Sequence, residues 1–348
     1  MVLYRGSRIR CNVDLPGAVA TNIGATAAPK SDFAMLVLGP RMVVIPPGAP
    51  TGRSPEYDAF GPWIDEIHVP ADVPALYRDY PVDLAVRLVL KVPRNIARRD
   101  ATPGMDLYDH LIVIGPASLT VLSRRGAGYT ERTVRFEEIA AISDSVNLLD
   151  GRLIIYTLAG PAITIGYNGA SRQVVAQLVH LLRELATDPL GETPRLAPPH
   201  PFTADTPGLD QGDLGDCDVA LVTFSREVVR SEPGLRLESA HGRIVLTPRG
   251  GAATRLVHLA RPMTLHGAIV CSDEHTRVIL GRRQWLVRGN RTEHSLTYLT
   301  VSSALLDATT VQDHPRYLGA PVVTLHLGDA RLEVPVPAGS GTERALHL

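Results

Sequence analysis

The chain has 348 residues, long enough for about two or three domains with cores of their own. Its 35 Lys and Arg against 36 Asp and Glu leave a net charge of −1, which excludes any global attraction to nucleic acid or to an anionic membrane. Cys11, Cys217 and Cys271 lie far apart with no C-x-x-C pair, against a disulfide framework, and no apolar run reaches bilayer-spanning length, so the expectation is a cytoplasmic protein with no transmembrane segment.

Residues 1–32 read as an N-terminal arm, with little periodicity between Pro16 and Pro29. Residues 33–100 read as a β-rich unit. It opens with a hairpin from Met35 to Ile45 turned by Gly39-Pro40, followed by a loop from Pro46 to Pro62. Strands are predicted at Trp63 to Val69 and Leu84 to Val92, separated by one helical turn at Ala75-Leu76-Tyr77.

Residues 101–188 are the most regular. Leu111 to Gly115 and Leu119 to Ser123 are β-branched runs joined by a Gly115-Pro116 turn, which predicts a hairpin. Thr133 to Phe136 alternates apolar with polar. Ile142 to Leu148 and Leu153 to Leu158 flank a turn predicted at Asp150-Gly151, and Pro161 to Tyr167 adds another strand. From Ala170 to Ala186 the period lengthens: Val174, Leu178, Leu181, Leu182 and Leu185 fall on one helical face, with Ser171 as the predicted cap and Asp188-Pro189 as the stop.

Antiparallel strands closed by one amphipathic helix make a definite pattern. With Leu122-Ser123-Arg124-Arg125-Gly126, then Phe136-Glu137-Glu138-Ile139, then Ile165-Gly166-Tyr167-Asn168 before the helix, residues 111–186 resemble a bacterial pleckstrin-homology-like domain. The resemblance implies a small β-sandwich or barrel whose open end the helix covers, and recognition of protein or lipid in preference to catalysis.

Residues 189–217 read as a Pro- and Gly-rich linker. Beyond it, residues 218–337 read as a second β domain before a tail at 338–348. Its predicted strands include Arg243 to Thr247, Arg255 to Leu259, Leu265 to Cys271, Arg277 to Leu280, Ser295 to Val301 and Val322 to Leu327. No helix as long as the first is predicted there; Val301 to Thr309 could form a short one. Val121 to Gly126 and then Thr130 align with Val245 to Gly250 and then Thr254, either because a pleckstrin-homology-like unit is duplicated at 235–336 or because ordinary β-turn chemistry arose twice.

Candidate chemistry is sparse. Arg124, Arg125, Arg132 and Arg135 are the candidate ligand-binding residues, since guanidinium forks hold oxyanions bidentately and the resemblance implies phosphorylated headgroups near such a loop. The spacing of Arg132 and Arg135 puts them on opposite faces of a regular strand, and an exposed arginine edge that discourages strand pairing is the competing reading. Asp210, Asp213, Asp216 and Asp218 offer oxygens for a hard cation but lack EF-hand spacing, and read as a solvated acidic linker. Cys271, Asp273, Glu274 and His275 read as a hairpin turn. No nucleophile elbow, Walker loop, dinucleotide fingerprint or zinc-protease motif occurs.

The sequence therefore predicts a mainly β protein with tandem pleckstrin-homology-like units, acting without a cofactor as a non-enzymatic binding or assembly module. A protein partner or a second copy is expected, contacted by the arm and by open strand edges. Binding of anionic phospholipid through Arg124 to Arg135 is the alternative, a cryptic hydrolase or metal enzyme the second, and no nucleic-acid partner is expected.

Overall fold

The computed structural model describes residues 54–187, 209–210, 212–232, 234–289 and 293–347, all within one compact unit, Pro50–Leu348. The arm at 1–32, the Met35–Ile45 hairpin and most of the linker lie outside the described residues.

The first half contains α1 (Pro55–Ala59), β1 (Asp65–Glu66), β2 (Leu88–Pro93), β3 (Tyr108–Ile114), β4 (Ser118–Arg125), β5 (Gly128–Arg135), β6 (Ile139–Asn147), β7 (Asp150–Thr157), β8 (Ile163–Asn168) and α2 (Arg172–Thr187). The second contains α3 (Val219–Ser231), β9 (Arg236–His241), β10 (Ile244–Pro248), α4 (Ala252–Ala260), β11 (Met263–Leu265), β12 (Ala268–Ser272), β13 (Thr276–Gly281), β14 (Leu286–Arg288), β15 (Leu296–Ser302), β16 (Ala308–Gln312), β17 (Tyr317–Leu318), β18 (Val322–Leu327), β19 (Ala330–Pro335) and α5 (Gly341–Leu346). The protein is mainly β, in antiparallel sheets, and the described strands close no barrel.

Strands β1 to β5 form one sheet in sequence order. Its alternation sorts Leu90, Ile112, Ile114, Leu119 and Val121 to one core and Val89, Leu111, Val113 and Leu122 to another, as a period of two requires. The second of these cores is covered by the irregular segment before β2, including the fully buried Tyr77, whose hydroxyl donates to Asp109 O at 2.8 Å.

The central sheet runs β8-β7-β6-β15-β13-β12-β9, so it is assembled from both halves of the chain. The seam is β6 against β15, from Leu296 opposite Val146 to Val301 opposite Ala141. Both faces are buried. Ile269, Cys271, Val278, Leu280 and Tyr298 face the core shared with α2, α3 and the first sheet; Val270, Ile279, Leu299 and Val301 face the three-stranded sheet β16-β18-β19 and α5. Double burial explains why β12 and β13 read as unbroken apolar runs.

Helix α2 is amphipathic as predicted, but its buried face is turned slightly from the predicted one: it buries Val175, Leu178, Val179, Leu182 and Leu185, while Val174 and Leu181 are half-buried at its margin. Ser171 is not its cap, as the sequence suggested. Asn168 caps the preceding turn by accepting from Ala170 N, while the Ser171 hydroxyl accepts from Ile64 N at 2.9 Å and so ties the segment before β2 to this turn. The β6–β7 turn is also displaced from the predicted Asp150-Gly151. Asn147 pairs with Asp150, leaving Leu148 and Leu149 as the turn, with Leu148 at φ 55°. Gly151 serves close packing instead, since a Cβ there would stand 2.5 Å from the Tyr167 ring.

Three further expectations are corrected. Arg255 to Leu259 belongs to helix α4 and not to a strand, the domain read as β from residue 218 opens with the 13-residue helix α3, and Val301 to Thr309 runs from the end of β15 into β16 without forming a helix. The two segments aligned as a repeat also diverge: β4 returns through the hairpin strand β5, whereas β10 leads into α4.

Candidate functional site

The strand register separates the sequence-predicted arginines. Arg125 opposes Gly128 at one end of the β4–β5 hairpin and Arg135 opposes Ser118 at the other, about 23 Å away at about 3.4 Å per residue. Arg124 donates to Asp109 Oδ1 from Nε at 2.8 Å and from Nη2 at 2.7 Å. Arg132 donates to the Pro161 carbonyl, and Arg135 pairs with Glu137 at 2.8 Å and Glu138 at 3.5 Å. Arg125 is exposed. The four guanidiniums do not converge.

The four aspartates diverge as well. Asp213 accepts from Asp210 N at 2.6 Å within a turn and Asp216 is exposed, but Asp218 is wholly buried. It accepts from Arg243 Nε at 2.9 Å, Arg243 Nη2 at 3.0 Å and Arg282 Nη2 at 2.9 Å. Burial pushes its pKa up, but the hydrogen bonds from Arg243 and Arg282 outweigh burial and hold the carboxyl below the usual range. Among the described residues no three His, Cys, Asp or Glu side chains are placed to hold a metal ion. Asp273 accepts from His275 N and Thr276 N, closing the predicted turn between β12 and β13, while Cys271 is buried in the core.

Three more polar sites are interior. Arg183 on α2 pairs with Glu232 and donates to Tyr298 Oη at 2.9 Å, joining α2, the end of α3 and β15. Asp144 accepts from Tyr167 Oη at 2.5 Å, and burial raises its pKa to about 6 despite that bond. His266 is fully buried, and burial, with Arg243 beside it, lowers its pKa to about 4. Of these groups, Arg183 fastens the two halves of the chain together, while Asp144 and Tyr167 join β6 to β8 within the first.

The surface feature that stands out is apolar. Helix α4 packs on β10. His258 turns inward, its ring 5.8 Å from that of Tyr317, so Leu256, Val257 and Leu259 point outward and are 65%, 55% and 81% exposed. Beneath the helix, Leu246 of β10 fills a small core with Leu265 and Tyr317, which by strand alternation leaves Val245 outside, 69% exposed. Leu318 of the adjoining β17 is 42% exposed. An amphipathic surface helix ordinarily turns its apolar face to its own core; over its described side chains, residues 256–260, this one turns His258 inward and its leucines and valine outward. The helix was missed in the sequence because Arg255-Leu256-Val257-His258-Leu259, with three apolar residues in five, fits a short strand equally well.

Family models, curated proteins and solved structures were compared with the chain, and none matches.

Proposed function

We propose that this protein is a non-enzymatic assembly module in which β2 to β8 and α2 form a pleckstrin-homology-like unit and self-association runs through the outer face of α4. The observation that carries the reading is the outward apolar face of α4. Withdrawing a Leu or Val side chain from water is worth about 1.5–3 kcal/mol, and this surface leaves Leu256, Val257 and Leu259 mostly in water. Three large apolar side chains within four residues of one surface helix fit an interface better than a free surface. With a net charge of −1, two copies carry little mutual repulsion, which favours a second copy as the partner. Four strands in one sheet, three in the next and a closing helix support the pleckstrin-homology-like reading of the first half.

Sedimentation velocity over a concentration series tests the proposal. The wild-type chain is expected to run as a dimer or larger, and Leu256→Glu with Leu259→Glu, both exposed and so compatible with folding, is expected to run as a monomer of unchanged circular dichroism. A wild-type monomer at every concentration, or an oligomer that the double substitution leaves intact, would overturn it.

A further inference from the structure

We propose that the cleft between the central sheet and β19 binds a phosphoryl oxyanion. The cleft, about 290 Å³, opens where the second core ends, and strand register composes its floor. Arg152 on β7 opposes Ser145 on β6, which opposes Thr297 on β15, which opposes Gly281 at the end of β13. Directly opposed residues share a face of the sheet, so one guanidinium and two hydroxyls stand side by side across three strands. Arg282 and Arg283 follow immediately after β13. On β19, Leu332 and Val334 face the central sheet, and Arg331, which alternates with them, lines the exposed rim of the cleft.

The charges are unequally satisfied. Arg283 donates from Nε to Ser145 Oγ at 3.0 Å and pairs with Asp150; Arg282 pairs with Asp218. Arg283 is thus matched by one carboxylate, whereas Arg282 shares Asp218 with Arg243. Arg152 and Arg331 have no ion pair and no side-chain hydrogen bond among the described residues, and one carboxylate in the lining, Glu333, stands against them. The cleft therefore keeps an excess of positive charge at its mouth. Deeper in, Thr297 Oγ1 and Arg282 Nε are buried without a hydrogen-bond partner, in side chains only 7% and 3% exposed. Buried donors are ordinarily satisfied, and an unsatisfied donor costs about 1–3 kcal/mol. A tetrahedral oxyanion supplies several acceptors to planar guanidinium forks and hydroxyls together, which a carbonyl cannot. This site is separate from the arginines of the β4–β5 hairpin and does not depend on the α4 surface.

The phosphoryl group could belong to a free phosphate or phosphate monoester or to a lipid headgroup; the same contacts serve both. The test titrates the full chain with inorganic phosphate by calorimetry at low ionic strength, and in parallel with phosphatidylcholine vesicles with and without phosphatidic acid. Saturable phosphate binding is expected, weakened about tenfold or more by either Arg152→Gln or Arg331→Gln and unchanged by Arg125→Gln. Both substituted arginines are exposed, so the fold is retained. Vesicle binding that needs phosphatidic acid and is displaced by phosphate would identify a headgroup, and phosphate binding without vesicle binding a soluble ester. Absence of saturable phosphate binding, or binding indifferent to Arg152→Gln and Arg331→Gln, would overturn the proposal.

Discussion

Replacing Asp218 with Asn tests whether the second half of the molecule is held by a buried charge network. The carboxylate is wholly buried and receives three hydrogen bonds, two from Arg243 and one from Arg282. Asn keeps the shape but removes the charge, and its NH2 faces donors where an oxygen stood. The two arginines respond differently. Arg243, 22% exposed in its side chain, can turn partly to water, whereas Arg282, 3% exposed, stays buried beside Ser295 O with no counterion. Leaving one member of a buried pair uncompensated costs about 3–5 kcal/mol. Arg243→Gln, which removes the partner that water can replace, should cost about 1–2 kcal/mol. Urea unfolding followed by circular dichroism measures both. If Asp218→Asn lies within about 1 kcal/mol of the wild type, the network is not holding this region and the reasoning fails.

The buried titrating groups predict opposing pH dependences. Asp144, raised to about 6, contributes stability below the ordinary carboxylate range that is lost as pH rises through about 6, while His110 and His266, both lowered to about 4, contribute stability above the ordinary imidazole pKa that is lost as pH falls through about 4. Each shift is worth about 3 kcal/mol, so the two histidines dominate between about pH 4 and 6, and Asp144→Asn should steepen the loss on acidification by about 3 kcal/mol, read from urea midpoints at the two ends of that window. Leu148→Gly relieves a left-handed backbone at an exposed turn and should raise stability by about 1 kcal/mol in the same assay; a loss would mean that the leucine side chain makes a contact of its own. Tyr298→Phe removes the hydroxyl between Arg183 and Glu232 and should cost about 1–2 kcal/mol, with no change if the ion pair closes over the gap.

Local features of the fold were legible where the chain's own periodicity decides them. The β3–β4 hairpin with its Gly115-Pro116 turn, and α2 with Leu178, Leu182 and Leu185 on one face, follow from turn chemistry and spacing alone. Helix α3 carried a readable signal in Leu221, Val222, Ser225 and Val228, at three- and four-residue steps, but the neighbouring aspartates and prolines made the region look like the edge of a linker. Helix α4 was not legible, because its outward leucines serve no core that its own sequence reveals. Distance along the chain hid the rest. Asp218 read as one solvated acid among four because its partners lie 25 and 64 residues away. The row Arg152-Ser145-Thr297 exists only because β6 meets β15 across the whole intervening chain. The arginines that sequence reasoning chose, Arg124 to Arg135, were near neighbours along the chain, but a hairpin eight residues long spreads them along its length.

Hydrogen–deuterium exchange at high and at low protein concentration tests the assembly reading most directly, because it reports where copies touch. If α4 forms the interface, amides of Leu256 to Ala260 should be protected at high concentration and exchange faster on dilution, while those of the central sheet stay unchanged. Exchange in these segments that is the same at every concentration, in a protein that is nonetheless oligomeric, would place the contact elsewhere and contradict the account.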